Sequence, residues 1–244
     1  MNAQNVAHCE ISPRFKGRML AALFLVTIVA GIIAQMFIGD RLIDLNDAAR
    51  TAANIAANRT LYRFAFTLYM IEMVSQIVWT LMMYDLLKPV SRSVARTAAV
   101  VGLIGCGIKM VARLFFYAPL LVTSSPAFSG IGEGELQALS LVLLRLNDHG
   151  AAIAVVFFGC ESILEGWLIV KSRFLPRFLG VFSIAGGVGW ATFMWPPLGY
   201  SLFTAIALVA LVGSLLMIGW LFVKGVDERR WLEQVQESAA SIWR

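Results

Sequence analysis

Apolar residues run through this chain in long blocks broken by short polar punctuation, and the blocks set the expected architecture. A helix needs about 20 apolar residues to cross a hydrocarbon core about 30 Å thick. Six blocks reach that length, at roughly 19–38, 64–87, 97–117, 148–170, 178–195 and 200–223. The pattern predicts an all-α fold: a polytopic membrane bundle of six transmembrane helices, with short interfacial helices beside it. The organisation that follows is a cytoplasmic tail (1–18), a six-helix transmembrane domain (19–223) and an amphipathic tail helix (224–244). The first block is longer than the apolar part of a typical signal peptide. No clear Ala-x-Ala site follows it, so it reads as a retained span.

Two flanking segments have helical patterns but do not span. "DLNDAARTAANIAANRT" (44–60) opens with Asp and Asn capping signals and continues alanine-rich, which suits a short surface helix. "VDERRWLEQVQESAASIWR" (226–244) brings Trp231, Val235, Ala239 and Ile242 to one side. That arrangement suits a helix lying in the membrane interface, and a solvated tail explains it equally well.

Composition agrees with the block pattern: 59% of the 244 residues are hydrophobic and 14% charged, where soluble domains carry roughly a quarter charged. The net charge of +5 does not indicate nucleic acid, because the basic residues are scattered in small groups and form no stripe. Their placement carries orientation instead. Arg14, Lys16, Arg18, Lys88, Arg92, Arg96, Lys171, Arg173, Arg177, Lys224, Arg229, Arg230 and Arg244 flank one end of the spans. Only Arg41, Arg50 and Arg59 flank the other. The positive-inside rule then puts both termini in the cytoplasm.

Motifs for cofactors and metals are not found. Cys9, Cys106 and Cys160 are scattered, and Cys106 and Cys160 fall in apolar runs, so they read as small buried residues. His8 and His149 are too few and too far apart for a metal site, and His8 beside Cys9 reads as tail. The glycines of "GLIGCGI" (102–108) and "GGVG" (186–189) lie inside spans. Small residues there let helices approach closely, whereas a nucleotide loop needs an aqueous strand–turn–helix context. Trp190 and Trp195 toward one face, with Trp167 and Trp220 toward the other, fit interfacial belts.

The outer segment running on into "LYR", "LLKPVSRS" (86–93), "FFGCESILEGWLIVKSRFLPRFLGVF" (157–182) and "IAGGVGW" (184–190) together resemble a known family. It is the multi-pass bacterial proteins of domain-of-unknown-function family 4386. The resemblance covers roughly residues 14 to 223, and "KSRFLPRFLG" is its most specific piece. It implies a bundle of about six helices in the bacterial inner membrane and supplies no activity. Glu161, Glu165 and Trp167 depart from the family's pattern there, so the two glutamates take no role from it. Read physically, Pro176 ends one helix and suits the start of the next, while Lys171, Arg173 and Arg177 hold the turn at the anionic inner leaflet.

Charges inside a bilayer are costly and face partners or a cavity. Counting inward from the flanks at about 1.5 Å per residue puts Glu72, Lys109 and Glu161 at similar depth on three spans. Gln76, Arg113 and Glu165 each lie one turn away on the same side as their neighbours. The expectation is a polar centre of Glu72, Gln76, Lys109, Arg113, Glu161 and Glu165, with Lys109 between two glutamates. It reads either as a ligand site or proton path, or as a salt-bridge cluster that sets helix register. With Lys171 at the inner surface, the fourth span starts near Ala151, so Asn147 or Asp148 caps it at the outer rim with His149 in its first turn. Arg63 and Arg145 are expected to pair with Asp148 at that rim.

Three classes of function stay open. The first is a protein that binds or moves a small amphipathic or anionic molecule through the polar centre. The second is a structural or regulatory subunit whose partner binds the exposed loops or tail helix. The third, less favoured, is a membrane enzyme acting on a lipid or quinone through Asp148 and His149, which point about 100° apart on a helix. The partners implied are the lipid bilayer and a small ligand, with a homo-oligomer left open and nucleic acid excluded.

Overall fold

A computed structural model of the chain describes residues 12–124, 128 and 130–241; His8, Cys9, Ile242 and Arg244 lie outside the described residues. Ser12 starts the first helix by accepting a hydrogen bond from the Phe15 amide, with Pro13 in the first turn, where its missing N–H costs nothing. Helix α1 (Pro13–Ile32) runs on through a π-helical stretch (Ile33–Gly39) into α2 (Asp40–Leu42). The outer surface helix is α3 (Ala48–Ala57), capped by Asp47, whose side chain accepts from the Arg50 amide at 2.9 Å. It is followed by α4 (Arg59–Leu87), α5 (Arg92–Ser124), α6 (Glu133–Lys171), α7 (Arg177–Ala191), α8 (Pro196–Val223) and α9 (Glu228–Ser241). No strand occurs among the described residues.

Six of these rods are long and apolar enough to cross a membrane: Pro13–Leu42, Arg59–Leu87, Arg92–Thr123, Glu133–Lys171, Arg177–Met194 and Pro196–Val223. The chain is therefore a multi-pass membrane protein with an all-α bundle. Successive rods alternate in direction, so the first and last described segments lie at one end, where Val226 after α8 packs on Gly17 of α1. That end is called terminal below, and the opposite end distal.

Helix α6 is the hub of the bundle, packing along α5 on one side and α7 on the other. Glycines make both approaches close. A Cβ on Gly166 would sit 2.6 Å from the Gly180 carbonyl oxygen, and one on Gly187 would sit 2.6 Å from that of Gly159. These two pairs, seven residues apart on both helices, bring the α6 and α7 backbones together without intervening side chains. Against α5, Gly150 meets Ala112, where an added Cβ would be 2.7 Å away, and Gly105 meets Phe157 and Phe158.

The helix that carries the fourth span starts earlier than the sequence pattern suggests. Helix α6 begins at Glu133 with Gly132 as its N-cap and continues for 39 residues. Asn147 and Asp148 therefore lie inside a helix and cap nothing. No proline interrupts this stretch, and Ser140, Leu144 and Asn147 are buried along it, so packing carries the helix past the polar residues. At 1.5 Å per residue α6 is about 58 Å long, nearly twice a hydrocarbon core of about 30 Å. Helix α5, 33 residues long, runs beside it, and α3 packs across this distal extension.

The tail helix α9 docks on the protein through one side and leaves most of its other residues exposed. Trp231 is buried and its indole Nε1 donates to the Leu86 carbonyl at 3.0 Å. Arg173 of the α6–α7 turn pairs with Glu237 at 2.9 Å, and Arg230 donates to the Arg173 carbonyl. Pro176 is the N-cap of α7, as the sequence suggests. One apolar core, including Leu20, Met83, Leu168, Leu179, Leu221 and Trp231, fills the terminal end. A second, including Ala34, Ile38, Tyr62, Phe116, Leu120 and Leu144, fills the distal end. The polar residues lie in the layer between them.

Replacing Gly166 by Leu should force α6 and α7 apart and cost about 1–3 kcal/mol or more. Gly107→Ala, where an added Cβ meets nothing within 4 Å, should be neutral or slightly stabilising. Thermal unfolding of both variants in detergent checks this; equal stability of the two would show that the glycine contacts do not matter.

Candidate functional site

The middle layer is built by α1, α4, α5 and α6. Lys109 on α5 donates to Glu72 Oε1 on α4 at 2.5 Å, with both side chains largely buried. Lys109 also lies 5.9 Å from the Phe158 ring centroid. Gly31 on α1 brings its backbone against the same carboxylate, since a Cβ there would be 3.2 Å from Glu72 Oε1. The second oxygen, Glu72 Oε2, is buried with no hydrogen-bond partner among the described residues.

Lys109 does not bridge two glutamates. Glu161, 3% exposed, instead accepts from the buried Thr80 hydroxyl on α4 at 2.7 Å. The reason is helix register. The Gly150–Ala112 contact sets α5 and α6 antiparallel, and a Cβ on Gly102 would overlap the Glu161 carboxylate. Glu161 is thus level with Gly102, seven residues or about 10 Å toward the terminal end from Lys109. Depths counted from apolar blocks miss this offset because α5 and α6 extend beyond the layer at their distal ends. Glu165, one turn further on, is buried and hydrogen-bonded by Trp79. Gln76 is half-buried without a hydrogen bond to the described residues.

Arg113 stands apart from this layer, one turn distal to Lys109. It is 3% exposed. Its guanidinium carbon lies 3.5 Å from the Tyr69 ring centroid, a stacked cation–π contact, and one NH group donates to Asn147 Oδ1 at 3.0 Å. Among the described residues it makes no ion pair within 4.0 Å, and its Nε is buried without a partner there. Tyr69 is fixed in turn, because its hydroxyl donates to Gln35 Oε1 at 2.7 Å while Gln35 Nε2 donates to Asp40 at 2.8 Å. The π-helical stretch of the first rod is what carries Gln35 to this position. Such stretches often accompany functional sites.

Beside Arg113 is a cavity of about 50 Å³, lined by Gln35, Gly39, Ile43, Leu45, Tyr69, Arg113, Phe116, Leu144, Asn147, Asp148 and Ala151. Asp148 accepts from the Tyr200 hydroxyl of α8 at 2.8 Å and pairs with neither Arg63 nor Arg145. Arg145 donates to the Leu45 carbonyl at 2.8 Å, and Arg63 is exposed. His149 is exposed, its Nδ1 2.8 Å from the Arg145 carbonyl. Asp148 and His149 thus engage different partners, as expected for adjacent helix positions. Among the described residues no three His, Cys, Asp or Glu side chains are grouped to hold a metal ion.

Gln35, Tyr69, Thr80 and Tyr200 carry no strong signal as site residues in the sequence. Gln35 is a lone amide within the apolar run of the first span, which was a usable signal. Tyr69, Thr80 and Tyr200 resemble many other polar residues in spans, and only packing brings them to the site.

A family model described as "Domain of unknown function (DUF4386)" matches residues 19–225, from within α1 to just past α8. No curated protein and no solved structure matches the chain.

Lys109→Met should leave Glu72 as a buried, unpaired charge and cost about 3–5 kcal/mol. Adding Glu72→Gln should restore most of that loss, because both members of the pair are then neutral. A double-mutant cycle in detergent measures the coupling; additive losses would mean that the pair is not coupled.

Proposed function

The chain belongs to the DUF4386 family, and we propose that it is a bacterial inner-membrane protein, with both termini in the cytoplasm, that binds the anionic group of a small amphipathic or anionic molecule at Arg113. The orientation rests on the basic residues gathered at the terminal end. Arg113 carries the functional reading, as a buried guanidinium beside a cavity with, among the described residues, an unpartnered Nε and no acidic partner.

A buried charge without a counter-ion costs several kcal/mol, and breaking a buried pair commonly costs about 3–5 kcal/mol. An anion in the cavity removes that penalty. The planar guanidinium fork suits carboxylate or phosphate oxygens, which it can hold with two parallel hydrogen bonds. Lys109, already neutralised by Glu72 at 2.5 Å, is the weaker candidate. The anion site therefore rests on Arg113, one turn distal to the Lys109 on which the sequence-suggested centre was built.

Purified protein in dodecyl maltoside should be stabilised by inorganic phosphate or sulfate over chloride at matched ionic strength. The gain approaches about 2.7 kcal/mol at a hundred times the dissociation constant. Arg113→Met should fold, since replacing a buried charge by an apolar group is often neutral, and it should lose the gain. Arg113→Lys should keep part of it. Equal stabilisation of wild type and Arg113→Met, or none in wild type, would overturn the proposal.

A further inference from the structure

The cavity beside Arg113 is lined by two opposite charges that do not meet. Arg113 and Asp148 both line it, yet no ion pair joins them within 4.0 Å. Each is held by neutral groups instead. The Tyr69 ring and Asn147 Oδ1 hold the guanidinium, and the Tyr200 hydroxyl holds Asp148 Oδ2 at 2.8 Å. Opposite charges sharing one small cavity attract strongly at low dielectric. Keeping them apart therefore requires the scaffold, and the two tyrosines supply it from α4 and α8.

We infer that the site takes a zwitterionic head group, with a phosphate or other anionic group at Arg113 and an ammonium at Asp148. This inference rests on the anion reading of Arg113 and specifies its ligand. Asn147 accepts from Arg113 through Oδ1, which leaves its Nδ2 to donate to the same anionic group. Asp148 Oδ2 is taken by Tyr200, and Oδ1 is the oxygen that meets the ammonium. A volume of about 50 Å³ holds the anionic group near the buried guanidinium. The ammonium then lies toward the half-exposed Asp148, and any acyl chains stay outside. A phosphoethanolamine group has this chemistry, whether free or as the head group of phosphatidylethanolamine.

Binding to the full-length protein tests the inference with four probes: inorganic phosphate and phosphoethanolamine by calorimetry in detergent, phosphatidylethanolamine and phosphatidylglycerol by thermal shift in nanodiscs. Wild type should bind phosphoethanolamine at least tenfold more tightly than phosphate, or be stabilised by phosphatidylethanolamine more than by phosphatidylglycerol. The first result identifies the free head group as sufficient, and the second alone identifies a lipid. Asp148→Asn should abolish either preference while binding of phosphate or phosphatidylglycerol persists or tightens. Tyr200→Phe, which frees Asp148 to approach Arg113, should weaken the zwitterion several-fold. A wild type that binds phosphate as well as phosphoethanolamine and shows no lipid preference would overturn the zwitterion while the anion reading stands. A preference unchanged in Asp148→Asn would do the same. Absence of binding by all four probes would overturn both.

Discussion

The close approach of α6 to both of its neighbours governs the rest of this bundle. Gly159 and Gly166 meet Gly187 and Gly180 on one side, and Gly102, Gly105 and Gly150 face α5 and α6 contacts on the other. Without water to drive apolar groups together, helices in a membrane associate through van der Waals packing, and glycine gives the shortest separation. Interlocked contacts of this kind tolerate little sliding. They fix the register of α5, α6 and α7, and that register decides which polar side chains can meet.

The consequences show in the middle layer. Two apolar cores at the terminal and distal ends hold a band of polar groups between them. In and beside that band each buried charge finds a different solution. Lys109 and Glu72 neutralise each other, Glu161 and Glu165 are held by Thr80 and Trp79, and Arg113 is stacked on Tyr69 without an acid. Buried pairs add specificity more readily than stability, which suits the Lys109–Glu72 contact as a lock on α4 against α5. Arg113 does not fit that pattern. Its unsatisfied Nε and the adjoining cavity are why it is the site, and Lys109 the strut.

The distal extension of α5 and α6 gives that site its setting. The two helices continue for several turns past Arg113 and Asn147, so the cavity has protein on its distal side. The π-helical stretch of the first rod and α4 close it from two further sides through Gln35 and Tyr69, and Tyr200 at the start of α8 holds Asp148 from outside the lining. The cavity lining is thus assembled from four separate rods, the first rod, α4, α5 and α6.

Much of this architecture was legible in the order of residues. Six apolar blocks, the Asp47-capped surface helix and the Pro176 break all appear where local pattern placed them, because length, capping and proline chemistry act over a few residues. The polar residues of the interior were also visible as chemistry out of place in apolar sequence. Their pairing was not. Asn147 and Asp148 looked like a helix start, and Glu161 looked level with Lys109, because depth was counted from hydrophobicity alone. Helix α6 runs through the polar stretch since buried contacts with α5 support it, and glycine contacts shift Glu161 about 10 Å from Lys109. Sequence by itself determined the number of spans, their alternation and the charges that had to be buried. Tertiary structure alone decided which charge kept no counter-ion among the described residues, because register is set by contacts between helices distant in the chain.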